Sequence, residues 1–101
     1  MVVVVATDVF STWYEGLRDL NARQRISIRL DRLRAGNPGD VKQVGGGVSE
    51  LRIPYGPGYR LYCARRGETL VILLCGGDKS TQQRDIAEAK TVLSSIGDRY
   101  G

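Results

Sequence analysis

Residues 48–79 form three apolar runs separated by two turn-like segments, and this pattern constrains the fold more than any other part of the chain. Within the runs 50–53 and 59–64, apolar residues alternate with polar or charged ones. A period of two is typical of β-strands that have one buried and one solvated face. The sequence therefore predicts an antiparallel sheet with one solvated, basic face.

A turn at residues 54–58 would place Arg52 opposite Arg60 on neighbouring strands. Like charges that face each other in a sheet are destabilising, so this pair needs an explanation. Either Glu50 neutralises one of the arginines, or both are held ready for a polyanion. A second turn at residues 66–67 would place Leu61 opposite Ile72. In this register one face of the sheet is basic and carries Arg52, Arg60, Tyr62, Val71 and Leu73.

The rest of the chain predicts one strand and three helices around this sheet. Residues 2–6 read as the first strand, and apolar residues at helical spacing predict helices within 10–20, 22–33 and 86–96. The glycine-rich segment 41–47 predicts a bulge or a mobile loop beside the sheet. We expect a single domain over residues 1–101 of class α+β, with the order β-α-α-β-β-β-α. We expect two N-terminal helices to pack on one sheet face and a C-terminal helix to complete the fold, so that the helices together leave the arginine face open.

The cations are mostly arginines: the chain has 15 lysines and arginines, a formal net charge of +4, and lysine only at positions 42, 79 and 90. Arginine suits bidentate contacts with phosphate or carboxylate. The arginine-rich helix 23–34 is a solvated surface, a nucleic-acid face or a docking face for an acidic partner. The chain has no histidine, which removes the usual general base and the commonest metal ligand. We expect neither a metal nor a cofactor.

The two cysteines, Cys63 and Cys75, lie in apolar runs without metal-binding spacing and are expected to be buried, reduced thiols. The apolar run at residues 2–6 is too short for an export signal, and no run approaches the roughly 20 residues of a membrane span. We therefore expect a cytoplasmic protein. Ser80 and Gln83 have the spacing of a capping box at the start of the last helix.

Three segments together resemble the RelE/ParE toxin superfamily, in its HigB-like branch of addiction module killer proteins: GVSELR at 47–52, GPGYRLY at 56–62 and LLCGGDKSTQQRDI at 73–86. The resemblance spans nearly the whole chain. It implies a small RelE-like fold in a bacterial toxin of a type II toxin–antitoxin system. It also implies cleavage of messenger RNA, commonly on the ribosome, and a cognate antitoxin that is usually a helix-turn-helix protein.

The resemblance implies that Arg52 and Arg60 contact the scissile phosphate and that Lys79 lies beside the substrate, as catalytic residues of an endoribonuclease. It assigns no general acid or base, since many relatives use a histidine. Two alternatives stay open: a ParE-like inhibitor of DNA gyrase without catalysis, and an inactive antitoxin-binding module. Tyr62 either stacks on a base or is an ordinary sheet tyrosine. The residues expected to bind nucleic acid are Lys42, Tyr62 and Arg65.

Overall fold

A computed structural model describes residues 1–100 and contains five strands and three α-helices, so the fold class is α+β, as predicted. The elements are β1 (Val3–Ala6), α1 (Asp8–Glu15), α2 (Leu20–Arg34), β2 (Val41–Gly45), β3 (Val48–Ile53), β4 (Tyr59–Arg66), β5 (Leu70–Gly77) and α3 (Gln82–Ile96), with a 3-10 helix at Lys79–Thr81. Among the described residues, no helix has both the length and the apolar character that crossing a membrane requires.

The five strands form one sheet in the order β1-β5-β4-β3-β2. Strands β2 to β5 pair antiparallel, whereas β1 lies parallel to β5, so the sheet is mixed. Of the two expectations for segment 41–47, the mobile loop is wrong, because β2 pairs with β3 along an edge of the sheet, whereas a register shift between Gln43 and Gly45 agrees with a bulge. The three glycines of this segment make the reversal between these strands: Gly45, Gly46 and Gly47 all have positive φ, which glycine adopts without steric cost.

The predicted register is confirmed between β3 and β4 and is wrong between β4 and β5. Arg52 lies opposite Arg60, as expected from the turn at 54–58. On the next strand, however, Leu73 lies opposite Cys63 instead of Leu70, because the turn comes after Arg66 and Arg66 lies opposite Leu70. A displacement by an odd number of residues exchanges the two faces of a strand. Val71 and Leu73 therefore lie on the face opposite to the arginines.

The helices cover both faces of the sheet, so the prediction that they all lie on one face is wrong. Helices α1 and α2 pack on the first face. The core between these helices and the sheet contains Phe10, Ile26, Leu30, Leu33, Leu51, Ile53, Leu61, Cys63, Val71 and Leu73. Helix α3 packs on the second face. The core between this helix and the sheet contains Val48, Tyr62, Ala64, Ile72, Leu74, Cys75, Ala89 and Ile96. Only the part of the second face near the turn at 54–58 is left for the arginines.

Local interactions fix where the helices begin. Thr7 caps α1 by accepting a hydrogen bond from the Phe10 amide, and Asp19 caps α2 in the same way. The predicted capping box of Ser80 and Gln83 is wrong, because Asp78 accepts hydrogen bonds from both the amide and the hydroxyl of Ser80. The 3-10 turn that results delays the start of α3 to Gln82.

Both cysteines are buried free thiols, as predicted. Burial raises the pKa of Cys63 to about 11 and that of Cys75 to about 12, so both remain protonated at neutral pH. The Cys75 thiol donates a hydrogen bond to the carbonyl of Asp85, which ties β5 to α3.

Arg29 of α2 holds the end of β3 in place. Its buried guanidinium donates hydrogen bonds to the carbonyls of Pro38 at 3.0 Å and Asp40 at 2.7 Å, and also to the carbonyl of Arg52. The three acceptors belong to the segment before β2 and to β3. A single side chain of α2 therefore fixes the backbone beside the facing arginines.

Replacing Arg29 by alanine is expected to lower the free energy of unfolding by about 3 kcal/mol, because three carbonyls lose a charged donor. Urea unfolding followed by the fluorescence of Trp13 measures this change. Arg32→Ala is the matched control, since Arg32 is an exposed arginine on the same helix, and its effect should stay within about 0.5 kcal/mol. Equal losses in the two variants would contradict a role for Arg29 in holding β3.

Candidate functional site

Arg52 and Arg60 face each other across β3 and β4, close to the turn that joins these strands. The side chain of Arg52 is 40% exposed, whereas that of Arg60 is 12% exposed. One terminal nitrogen of Arg60 donates a hydrogen bond to the Gly58 carbonyl at 2.8 Å. A cleft of about 170 Å³ is lined by both arginines together with Asp40, Gly58 and Tyr59. The predicted pair is therefore formed at the surface of the sheet, at the mouth of a small cleft.

The carboxylate of Glu50 lies between the two arginines and is fully buried. One of its oxygens accepts a hydrogen bond from Nε of Arg52 at 3.0 Å. The other accepts hydrogen bonds from the amide of Gln82 at 2.8 Å and the hydroxyl of Tyr62 at 3.3 Å. The same oxygen lies 3.7 Å from Nε of Arg60. Glu50 thus offsets the repulsion between the arginines, as one of the two interpretations expected.

The Glu50 carboxylate stays ionised at neutral pH. Burial alone would raise its pKa, but hydrogen bonds from Gln82, Arg52 and Tyr62 outweigh burial, and the pKa lies below its usual range. In turn, burial and the nearby carboxylate raise the pKa of the Tyr62 hydroxyl, which remains protonated. The cluster therefore carries two positive charges and one negative charge.

The two lysines predicted for the site both lie near the arginine pair. Lys79 is exposed on the 3-10 helix, and its backbone amide donates a hydrogen bond to the carbonyl of Pro57 in the turn before Arg60. Its Cβ lies 3.5 Å from the position that a Cβ on Gly58 would occupy. Lys42 is exposed on β2 directly opposite Glu50, so it lies on the same face as the arginines. The surface around Glu50 is therefore basic on three sides.

The structure does not bring the other two predicted residues to this surface. Tyr62 is on the correct face but is fully buried under α3, so its ring has no free side on which a base can stack. The predicted stacking role is wrong, and the residue is a hydrogen-bond donor to Glu50 instead. Arg65 is exposed on the opposite face, in a cleft that Leu51, Cys63 and Val71 also line.

Sequence reasoning missed the contribution of α3. Gln82 reaches Glu50 from the first turn of this helix, and Thr81 donates a hydrogen bond to the buried carboxylate of Asp85. Protein groups fill the space beside the glycine that precedes this segment: a Cβ on Gly77 would lie 1.8 Å from Oδ2 of Asp85. Nothing in the sequence around Gln82 indicates that its side chain reaches Glu50, and only the fold reveals this contact.

Two comparisons show what the chain is similar to. The model of the family described as "Phage derived protein Gp49-like (DUF891)" matches residues 15–95. An uncharacterized protein of Haemophilus influenzae is 47% identical over 94 residues, which cover 93% of this chain and 95% of that protein. Both matches include the hairpin that carries Arg52 and Arg60.

The fold and these matches place the chain in the RelE/toxin-like addiction module superfamily. Within that superfamily, the chain belongs to the Gp49-like phage-derived family. Membership suggests a toxin of a toxin–antitoxin system, with an antitoxin as its partner.

Proposed function

We propose that this protein is a HigB-like toxin that cleaves messenger RNA without a metal ion. The observation that carries this proposal is the arginine pair: Arg52 and Arg60 face each other at a cleft, beside the exposed Lys79. Terminal nitrogens of a guanidinium match the geometry of phosphate oxygens. Family membership supports a toxin, and the arginine pair supports a phosphodiester as its substrate.

In the proposed reaction, the 2′-hydroxyl of the RNA attacks the adjacent phosphorus. The bond from phosphorus to the 5′ oxygen breaks, the 2′-hydroxyl loses its proton and the leaving 5′ oxygen gains one, giving a 2′,3′-cyclic phosphate and a free 5′-hydroxyl. Arg52 and Arg60 donate hydrogen bonds to the non-bridging oxygens and stabilise the additional negative charge of the transition state. Fixed donors of this kind act most strongly when, as here, they are held before the substrate binds.

The lysines extend this site along the backbone of the RNA. Lys79 lies next to the turn at Gly58 and neutralises a phosphate that neighbours the scissile one. Lys42 lies on the next strand, on the other side of Glu50, and contacts the RNA further along. Contacts of this kind carry little sequence information, so we propose that the ribosome presents the messenger RNA and that recognition comes partly from it.

The proposed cellular role follows from the chemistry. Cleavage of translated messenger RNA in the bacterial cytoplasm stops protein synthesis and growth. A cognate antitoxin, which we propose is a helix-turn-helix protein, neutralises the toxin by binding it. The arginine-rich surface of α2, with exposed Arg25 and Arg32, is the docking face that we expect for an acidic partner.

One experiment tests the function directly. The chain is induced alone in bacteria, and new 5′ ends of messenger RNA are mapped across the transcriptome. We expect growth to stop and new ends carrying 5′-hydroxyl groups to accumulate within translated regions. Co-expression of the antitoxin serves as the control and should prevent both effects.

Two other outcomes would overturn the proposal. Growth arrest with intact transcripts and altered DNA supercoiling would indicate an inhibitor of gyrase. No growth arrest at all, with normal accumulation of the protein, would indicate an inactive antitoxin-binding module.

A further inference from the structure

The buried carboxylate of Glu50 contacts four polar side chains at the base of the arginine pair. Its partners come from three elements: Arg52 on its own strand, Arg60 and Tyr62 on β4, and Gln82 on α3. A buried carboxylate is costly unless it is fully satisfied by such donors. Four polar partners around one side chain therefore indicate a built arrangement.

The contacts of Glu50 are directed to the Nε atoms of both arginines. Arg52 donates a hydrogen bond from Nε at 3.0 Å. Nε of Arg60 lies 3.7 Å from the other oxygen, which makes an ion pair but not a hydrogen bond, and this buried Nε has no hydrogen-bond partner among residues 1–100. A guanidinium held through Nε keeps its terminal nitrogens for other acceptors. Those of Arg52 form no hydrogen bond with another described residue, and one of those of Arg60 binds Gly58.

We propose that Glu50 is a positioning residue, which orients Arg52 and Arg60 by their Nε atoms so that their remaining nitrogens grip one phosphate. This inference rests on the proposed function, because it assigns the phosphate to the RNA backbone. Glu50 itself does not touch the substrate, since it is fully buried and both of its oxygens are occupied. Gln82 completes the arrangement by fixing the carboxylate from α3.

The sign of one effect separates positioning from simple electrostatics. Glu50→Gln removes a negative charge next to an anion site, so Coulomb's law alone predicts tighter binding of an anion. Positioning predicts weaker binding. The two carboxylate oxygens of Glu50 both accept hydrogen bonds, whereas in a glutamine only the amide oxygen accepts and the amide nitrogen donates. We expect the dissociation constant of inorganic phosphate, measured by NMR titration of the whole protein, to rise by about tenfold. The rate of RNA cleavage should fall by about 100-fold.

Two variants provide the controls. Glu68→Gln removes the same charge from the exposed turn between β4 and β5, and it should leave phosphate affinity within about twofold. The double variant Glu50→Gln/Gln82→Glu returns a carboxylate to the cluster, since the two side chains are 2.8 Å apart. We expect it to recover most of the lost phosphate affinity, which a purely structural defect would not do.

The Nε–H signals of the two arginines report the contacts directly. In the wild-type protein, the Arg52 signal should exchange slowly with water, and in Glu50→Gln it should exchange at least about tenfold faster. If Glu50→Gln does not fold, Gln82→Ala takes its place, because it keeps every charge and removes only one support of the carboxylate. It should weaken phosphate binding by about threefold.

Unchanged or tighter phosphate binding in both Glu50→Gln and Gln82→Ala would overturn the proposal. If the wild-type protein cleaves no RNA but the phosphate and exchange results are as expected, the proposed reaction fails and the positioning role stands. The two ideas therefore fail separately.

Discussion

The double variant Arg52→Ala/Arg60→Ala is expected to lose growth inhibition and RNA cleavage together, with cleavage slowed by at least about 10³-fold. Removal of one donor that stabilises a developing negative charge costs about 10²–10³ in rate. In the proposed reaction both arginines bind one phosphate, so each single variant should already lose most of the activity. Cleavage is measured by mapping 5′ ends after induction, with the amount of each variant determined in the same cells.

The matched control for this variant is Arg34→Ala/Arg99→Ala. It removes the same two charges from exposed positions at the ends of α2 and α3. We expect it to arrest growth as the wild type does. Full toxicity of Arg52→Ala/Arg60→Ala would refute the phosphate-binding role, whereas loss of toxicity in both double variants would point to a general effect of charge.

Gly76→Ala is expected to lower the free energy of unfolding by about 3 kcal/mol. A Cβ on Gly76 would lie 2.3 Å from two carbons of the Trp13 ring, well inside contact distance. The indole cannot move aside freely, because Phe10 and Tyr59 pack against it with ring centroids 5.7 Å and 6.2 Å away. Even one methyl group on β5 therefore requires α1 to shift.

Chemical denaturation of Gly76→Ala and Gly16→Ala makes the comparison. Gly16 ends α1 with φ of −80°, a conformation open to any residue, so alanine there should change stability by no more than about 0.5 kcal/mol. The second variant Gly76→Ala/Trp13→Leu should recover part of the loss, because the smaller side chain makes room for the methyl group. A Gly76→Ala protein as stable as the wild type would mean that the indole does not pack tightly on β5.

Those parts of the fold that depend on local pattern could be predicted. The alternation of residues 50–53 and 59–64 fixes which side chains share a face, and the turn between them fixes the facing of Arg52 and Arg60. The stripe of the second helix was also correct, since Ala22, Ile26 and Leu33 are buried in the core. The first helix was predicted too long, because α1 ends at Glu15 and Leu20 is exposed on α2. These features need no knowledge of the distant chain.

The sequence could not predict which residues of β5 point to which face of the sheet, because LVILLC is apolar throughout and is buried on both faces. Its register depends on the length of the turn after Arg66 and, beyond Leu73, on a bulge beside Tyr62, and neither leaves a mark in the composition. An amphipathic stripe likewise does not say which side of a sheet a helix covers. The position of α3 was missed for this reason, and the burial of Tyr62 with it.

For the candidate site, the sequence predicted the cations but not what organises them. Arg52, Arg60 and Lys79 came from their position on the hairpin and from the resemblance. Glu50 was recognised only as a possible counter-charge, because its burial depends on Gln82, which lies 32 residues away. Lys42 lies on the edge strand β2, which was not predicted because the segment 41–47 is rich in glycine.

The parallel pairing of β1 with β5 has a consequence for how the protein is made. Val3–Ala6 can pair only with residues near 70–73, and Thr7 donates hydrogen bonds to the carbonyls of Leu73 and Leu74. At roughly 5–20 residues per second, the ribosome needs on the order of 3–14 s to synthesise the intervening chain. Strand β1 therefore cannot join the sheet before β5 has been made, and the valine run has no strand partner until residues near 70–73 have been synthesised.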